Sequence, residues 1–344
     1  MKITTVGIDL AKNVIVVHGV DEHGKAVLKK ALKRADVAPF FANLEPCLIG
    51  IEACGSAHHW ARQLNAMGHT VKLMAPQFVK PYVKTNKNDA ADAEAICEAV
   101  SRPTMRFVPV KTIEQQGILA VHRVRQGFVK ARTAQANQIR GLLSEFGIVI
   151  PKGLTHVTKR IPEILEDAEN GLTDPFRRLL HRLSGHLQEL HRQVAELEHE
   201  IKVWHRDTEA SRKLEKIPGI GPITASALVA SIGDAKNFDN GRQLAAWLGL
   251  VPRQHSSGGK QTLLGISKRG DTYLRTLLIH GARSVVRVAE HKEPDTWLRR
   301  LLARRNKNVA AVALANKNAR IVSALLAHGR DYRADYRTQA TTAG

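Results

Sequence analysis

The sequence predicts an α/β N-terminal domain followed by all-α domains: a coiled-coil region and a C-terminal region with a helix-hairpin-helix. Three observations support this fold class. Short β-branched runs alternate with helical stretches over the first hundred residues, a leucine heptad stripe follows, and glycine-punctuated apolar helices come last. A chain of 344 residues is longer than one core usually supports. The predicted divisions are 1–108, 109–205, 206–330 and a polar tail at 331–344.

Alternating strands and helices make up the predicted N-terminal domain. The predicted strands are 3–8, 14–20, 25–31, 47–51 and 70–74. The predicted helices are near 35–44, from about 56 to 67, and from Asn88 onward. The order βββαβαβα, with the fourth strand parallel to the first, is that of the ribonuclease H-like (RuvC-like) fold.

Four carboxylates stand where this fold would bring them together. Asp9 ends the first strand and Glu52 follows the fourth, while Asp89 and Asp92 share one face of a helix start. Each alone is explained by turn or helix-cap preference. Converging carboxylates repel unless cations neutralise them, and hard oxygen ligands select Mg²⁺, with Mn²⁺ as the alternative. The set therefore predicts a metal site, and His58, with its neighbour His59, is left outside it.

The net charge is +20 and is unevenly distributed. Residues 1–100 hold 12 Lys/Arg and 10 Asp/Glu, net +2, which leaves +18 for the rest. Such an excess favours DNA or RNA as the partner through counterion release. The three cysteines have no metal-ligand spacing, and we find neither a signal peptide nor an apolar run near the roughly 20 residues of a bilayer span. We expect a cytoplasmic protein without a membrane anchor.

The middle region is predicted to be helical, with one long helix over 111–146 that carries a basic face. Its candidate nucleic-acid contacts are Arg123, Arg125, Lys130, Arg132 and Arg140. Apolar residues from Phe176 to Ile201 then follow a regular four-three spacing. This stripe either packs on the preceding helix of the same chain or pairs chains into a dimer or tetramer.

The C-terminal region carries a second set of candidate contacts. The run 214–222 has a helix-hairpin-helix pattern, in which Gly219 and Gly221 would let backbone amides meet a phosphate; an ordinary interhelical turn is the alternative. An apolar helix then opens into a flexible polar loop with Ser256 and Ser257, and another helix begins near Asp271. Further cationic candidates are Arg253, Lys268, Arg269 and Arg275.

In combination and in this order, seven segments carry a family resemblance. They are Gly7-Ile8-Asp9, Ile51-Glu52-Ala53, Lys87-Asn88-Asp89-Ala90-Ala91-Asp92, Ile217-Pro218-Gly219-Ile220-Gly221, Gly249-Leu250-Val251-Pro252-Arg253, Ser257-Gly258 and Ile266-Ser267-Lys268-Arg269-Gly270. Here the sequence resembles the bridge-RNA-guided DEDD transposases, or recombinases, of bacterial insertion sequences (the one-ten family). The resemblance extends to about residue 330.

The resemblance implies a RuvC-like domain whose tetrad Asp9, Glu52, Asp89 and Asp92 holds Mg²⁺, a coiled coil that mediates assembly, and a C-terminal transposase domain. In that domain Ser257, with Ser256 as the fallback, would attack DNA and form a covalent intermediate, guided by a noncoding bridge RNA. The expected location is the bacterial cytoplasm, on the nucleoid when acting. Two alternatives stay open: a RuvC-like junction nuclease that uses water, and a non-catalytic nucleic-acid scaffold.

Overall fold

The computed structural model describes residues 2–84, 88–289 and 296–334. The chain separates into two compact units, Met1–Thr112 and Ile113–Gly344, and each is described by itself. The further division of the second unit at 205/206 stays a prediction. Lys87, which belongs to the motif before Asp89, and residues 335–344 of the tail lie outside the described residues.

The first unit is built on a six-stranded mixed sheet. Its strands are β1 (Thr5–Leu10), β2 (Val14–Val20), β3 (Ala26–Lys33), β4 (Leu48–Glu52), β5 (Thr70–Met74) and β6 (Phe107–Val108), in the order β3-β2-β1-β4-β5-β6. The first three form an antiparallel meander, as predicted. β4 lies parallel to β1 with Gly7 opposite Gly50, and β5 lies parallel to β4. The predicted parallel pairing of the first and fourth strands is therefore confirmed.

Within the described part of the first unit, four α-helices accompany this sheet: α1 (Val37–Ala42), α2 (Ala57–Ala66), the short α3 (Pro76–Val79) and α4 (Asp89–Val100). The predicted helices match α1, α2 and α4 in position. Apolar side chains on one side of the sheet, such as Ile8, Val17 and Ile51, form a core with Phe41 of α1 and with Trp60 and Leu64 of α2. β6 was not predicted, because two residues carry no periodic signal.

The described residues of the second unit form helices and one hairpin. Its helices are α5 (Ile113–Ser144), α6 (Leu154–Glu166), α7 (Asp174–Asp207), α8 (Glu209–Glu215), α9 (Pro222–Ile232), α10 (Gly241–Trp247), α11 (Thr272–Ala289), α12 (Trp297–Leu302) and α13 (Lys307–His328). The hairpin consists of β7 (Pro252–Ser257) and β8 (Lys260–Ile266). The long helix predicted over 111–146 is confirmed as α5, whereas α6 was not predicted. Pro162 lies inside α6, and a proline usually signals the end of a helix.

The heptad stripe is buried within the chain. α5 and α7 pack side by side and run antiparallel, since Glu114 meets Trp204, Arg125 meets Glu198 and Arg132 meets His191. Leu180 and Leu187 of the stripe share a core with Ile139 of α5 and with α6. The structure therefore shows the first of the two alternatives, in which the apolar stripe of α7 packs on the preceding helix of the same chain.

The remaining helices, α8 to α13, enclose one large apolar core that includes Leu228, Leu244, Leu278 and Val322. Within the described residues, α13 is long and apolar enough to cross a bilayer, and half of its apolar window is buried in the protein. A core helix of a soluble protein has the same properties, so α13 is weak evidence for a membrane span.

Candidate functional site

Three of the four predicted carboxylates converge. Asp9, at the end of β1, and Asp89 and Asp92, in the first turn of α4, each present an oxygen within 4.8 Å of the others. Asp9 and Asp92 are half-buried, and Asp89 is exposed. The cluster therefore opens to solvent at the edge where β1 ends.

The cluster depends on how α4 begins. Asn88 caps the helix, because its side-chain oxygen accepts a hydrogen bond of 2.8 Å from the backbone N–H of Ala91. The Asn88 carbonyl accepts a second hydrogen bond from the N–H of Asp92. The two aspartates therefore lie in the first turn, where the helix dipole favours negative charge.

Two glycines on neighbouring strands let α4 lie directly on the sheet. A Cβ added at Gly7 would stand 2.2 Å from the Ala93 carbonyl oxygen, and one at Gly50 would stand 2.8 Å from the Val100 Cβ. Side chains two residues apart in a strand share a face. Asp9 therefore points to the same side as Gly7, toward the start of α4. Gly7 and Gly50 therefore position the start of α4, a role that the sequence analysis did not assign to them.

Glu52 is the tetrad member that the structure leaves outside the three-aspartate cluster. It ends β4 one position beyond the Ile8–Ile51 pair, on the α4 side of the sheet. Partial desolvation of the Cys54 thiol raises its pKa, and the charges of Glu52 and Asp9 raise it further. Glu52 thus lies beside the cluster, but it is not among the residues whose oxygens lie within 4.8 Å of one another.

The cluster fits a small divalent cation. Its three carboxylates are hard oxygen donors, and Mg²⁺–oxygen distances of about 2.1 Å place two bound oxygens at most about 4.2 Å apart. The observed limit of 4.8 Å needs only small side-chain rotations to reach that range. Histidine and thiol groups are absent from the cluster among the described residues, which favours Mg²⁺ or Mn²⁺ over zinc.

His58 lies away from the cluster. Its Nδ1 accepts a hydrogen bond of 3.2 Å from the Lys111 backbone N–H, and Arg62 donates to the Lys111 carbonyl. Burial and the nearby cations Lys111 and Arg62 lower the pKa of His58 to about 4. This neutral histidine holds α2 against the end of the first unit.

Ser256 and Ser257 lie in a β-hairpin, so the expectation of a flexible loop was wrong. Gly258 and Gly259 both have positive φ angles, of 56° and 79°, and Ser257 pairs with Lys260 across the turn. Two positive-φ residues make the tight turn that matches strand twist. The polar sequence lacks the apolar alternation that would have predicted a strand. Ser257 is exposed at the hairpin tip.

The base of the hairpin is held tightly. A Cβ at Gly249 would stand 1.9 Å from the Arg269 carbonyl oxygen, and one at Gly270 would stand 1.8 Å from the Trp247 carbonyl oxygen. Arg275 is buried, and its guanidinium donates to the Leu248 and Arg269 carbonyls. Arg275 was predicted to contact nucleic acid, but the structure places it inside, as a residue that positions the hairpin base.

The two glycines of the predicted helix-hairpin-helix differ. Gly219 has φ +89° and lies against Gly281 of α11, where an added Cβ would stand 2.9 Å from the Gly281 carbonyl oxygen. Gly221 is exposed, with open space where a Cβ would stand. Packing therefore explains Gly219, whereas Gly221 keeps the access that a phosphate would need.

The predicted basic contacts of α5 form two groups, exposed side chains and side chains that bond to other parts of the same chain. Arg123 and Lys130 are exposed. Arg125 pairs with Glu198, Arg132 bonds His191, and Arg140 donates to the Ile150 carbonyl. Arg253, Lys268 and Arg269 are exposed around the hairpin. The last three, together with the exposed pair on α5, are the predicted cations best placed to meet nucleic acid.

The second unit also contains a buried polar network, between α5, α9 and α11, that the sequence analysis missed. His122 bonds the Tyr273 hydroxyl through Nδ1 and the Ser226 hydroxyl through Nε2, each at 3.0 Å. Burial, with the nearby Arg125, lowers the pKa of His122 to about 4. A neutral histidine therefore ties α5 to α9 and α11.

Two models of known protein families match this chain. The model of the "Transposase IS116/IS110/IS902 family" matches residues 211–297, and a DEDD transposase model of the IS110 type matches residues 6–148. The second match contains all four predicted carboxylates.

Relatives match over almost the whole chain. A probable family 20 transposase of Pseudomonas aeruginosa is 56% identical over 97% of this chain and 99% of its own. The transposase for insertion sequence element IS1111A of Coxiella burnetii is 46% identical over 96% of this chain and 92% of its own. A pilin gene-inverting protein of Moraxella bovis is 31% identical over 35% of this chain and 37% of its own. The chain therefore belongs to the IS110/IS116/IS902 family of insertion-sequence transposases.

Proposed function

We propose that this transposase cuts and rejoins DNA strands with Ser257 as the nucleophile, assisted by Mg²⁺ at the carboxylate cluster. The observation that carries the proposal is the convergence of Asp9, Asp89 and Asp92 within 4.8 Å in a solvent-open position. Glu52, at the next strand end, completes the set. The similarity to a gene-inverting protein, although it covers only about a third of each chain, supports rejoining as well as cutting.

The carboxylates would hold the ion, and Glu52 would reach it by a change of side-chain conformation. Mg²⁺ would supply charge stabilisation on the reacting phosphate. Asp89 and Asp92 lie in the first turn of α4, where the helix dipole favours negative charge.

Ser257 suits the role of nucleophile because it is exposed at the tip of a hairpin whose base is rigid. In the proposed step the oxygen of its hydroxyl bonds to phosphorus, and the bond from phosphorus to the oxygen of the leaving strand breaks. The hydroxyl proton passes through solvent to that leaving oxygen, which departs as a strand-end hydroxyl. The phosphodiester energy is kept in the serine ester, so the reverse attack by a strand end reseals DNA. Ser256 lies on the opposite face of the same strand and serves as the matched control.

We also propose that a noncoding bridge RNA from the element directs the protein to its sites, as the family resemblance implies. The exposed cations of α5 and of the hairpin region suit recognition of RNA by backbone and shape. Assembly into a dimer or tetramer belongs to the same proposal. Sequencing the RNA that copurifies with the protein tests the guide, and light scattering tests the assembly.

A denaturing gel of labelled DNA after reaction tests the nucleophile. We expect wild type and Ser256→Ala to leave protein attached to cleaved DNA, and Ser257→Ala to leave none. Cleavage without any adduct in the wild type would favour the water-using junction nuclease instead. Activity that survives Asp9→Ala, Glu52→Ala and Asp92→Ala would favour the non-catalytic scaffold.

A further inference from the structure

A long groove of about 1900 Å³ runs along α13 in the second unit. Its other walls are the start of α10, the base of the β7–β8 hairpin, Trp297 and residues 329–334. Pockets for small molecules usually measure about 300–1,000 Å³. The groove is therefore sized for a segment of an extended ligand.

Cations line this groove and are largely unpaired. Arg242, Arg320 and Arg330 are exposed, and none of the three has an ion-pair partner among the residues that the structure describes. The carboxylate that the lining contributes, Asp331, is already paired with Lys216 at 3.1 Å. The free positive charge calls for an anionic occupant.

The floor of the groove is apolar, and aromatic rings flank it. Val312 and Ile321 of α13 are half-buried there, Trp297 is 39% exposed, and the half-buried Tyr332 also belongs to the lining. The Lys317 ammonium stands 4.7 Å from the centre of the Trp297 ring. A cationic groove with aromatic and apolar surfaces binds unpaired bases, which stack on the rings while their phosphates meet the cations. Bases inside a duplex do not expose their faces.

We propose that this groove binds single-stranded DNA next to the cleavage site. The choice of DNA rests on the proposed function, in which Ser257 attacks DNA. The β-strands β7 and β8, which form the hairpin that carries Ser257, also contribute to the lining of the groove. Pro252 of β7 and Leu264 and Ile266 of β8 belong to its lining. Strand exchange passes through unpaired DNA, and a groove at the hairpin base would hold that strand in register with Ser257.

The test is fluorescence anisotropy in EDTA with a labelled dT20 strand, a U20 strand and a 20-base-pair duplex, using full-length Ser257→Ala protein. Adding Arg242→Ala and Arg320→Ala should lower the slope of log affinity against log salt for dT20 by about 1.4, since each lost phosphate contact removes about 0.7. Trp297→Ala should weaken dT20 binding about tenfold, and Trp297→Phe should restore most of it. Duplex binding should change by less than twofold.

Lys152→Ala with Lys159→Ala removes the same charge outside the groove and is the matched control. Equal losses in this control and in the groove variant would overturn the proposal, because the effect would then be that of a general basic surface. Unchanged dT20 affinity, or a loss confined to U20, would also overturn it; the latter would make the groove an RNA site. Because no cleavage takes place in EDTA, failure here is distinct from failure of the serine mechanism, which the adduct gel reports.

Discussion

The aspartate cluster and the serine hairpin are held in place by opposite means. The cluster lies where α4 is packed onto Gly7 and Gly50, so its geometry is fixed by a close approach of backbones. The hairpin is exposed along both strands, and only its base is fixed, by Gly249, Gly270 and Arg275. A metal site benefits from fixed ligands, whereas a nucleophile that must reach DNA benefits from an arm that can adjust.

The largest effect is expected on the rate of strand transfer, from a substitution in the cluster that should leave the stability of the protein nearly unchanged. Asp92→Asn should lower the rate of strand transfer by a factor of about 10² to 10³, because it removes one charged ligand from the cluster. Its free energy of unfolding in EDTA should change by less than about 1 kcal/mol, since relief of carboxylate repulsion offsets a weaker dipole interaction. Chemical denaturation and a strand-transfer assay measure the two quantities. Glu98→Gln, on the same helix, should leave the rate unchanged.

Packing itself is tested at Gly7. Gly7→Ala places a methyl group 2.2 Å from the Ala93 carbonyl oxygen, so α4 must move away from the sheet. We expect a loss of about 2–3 kcal/mol in the free energy of unfolding, measured by denaturant titration. Gly55→Ala, where the added carbon meets nothing within 4 Å, is the control. Equal stability of the two variants would mean that the cluster is not fixed by this contact.

The second unit should respond to acid through His122. Its pKa of about 4 in the folded protein lies below the unfolded value of 6.5, so the unfolded chain binds the proton first. Stability is fully present above pH 6.5 and falls as the pH is lowered toward 4, by about 2 kcal/mol at pH 5. His122→Gln stays neutral and should show a shallower pH dependence in thermal unfolding. A slope identical to that of the wild type would contradict this account.

The smallest effect on stability is expected at the hairpin tip. Gly258→Ala with Gly259→Ala forces two alanines into left-handed conformations, at about 1–2 kcal/mol each. Among the described residues, a Cβ added at either glycine meets nothing within 4 Å. The cost should therefore appear as faster amide exchange in the hairpin while the melting temperature of the protein stays unchanged. A clear drop in the melting temperature would show that the hairpin is part of the folded core.

The sequence predicted the first unit better than the second. The β-branched strands and the Asn88 cap carried strong local signals, so the parallel pairing of β1 and β4 and the start of α4 could be expected. Glu52 was expected in the cluster because strand order places it at the same sheet edge as Asp9. Strand order does not define the distances between side-chain oxygens, and the structure leaves Glu52 outside the three-aspartate cluster. The hairpin escaped prediction because its polar strands are defined by the two glycines of the turn and by contacts at their base. Buried positions such as Arg275 and His122 depend on helices distant in sequence, which no local pattern contains.

One consequence of the open hairpin concerns handling of the protein. β7 and β8 pair only with each other among the described residues, and Leu263 and Leu264 are 63% and 43% exposed. Strand edges of this kind recruit further strands from neighbouring molecules. Concentrated protein without nucleic acid will therefore be prone to aggregation that begins at these leucines, and the conditions that best preserve it in solution will be those in which DNA or RNA covers the hairpin.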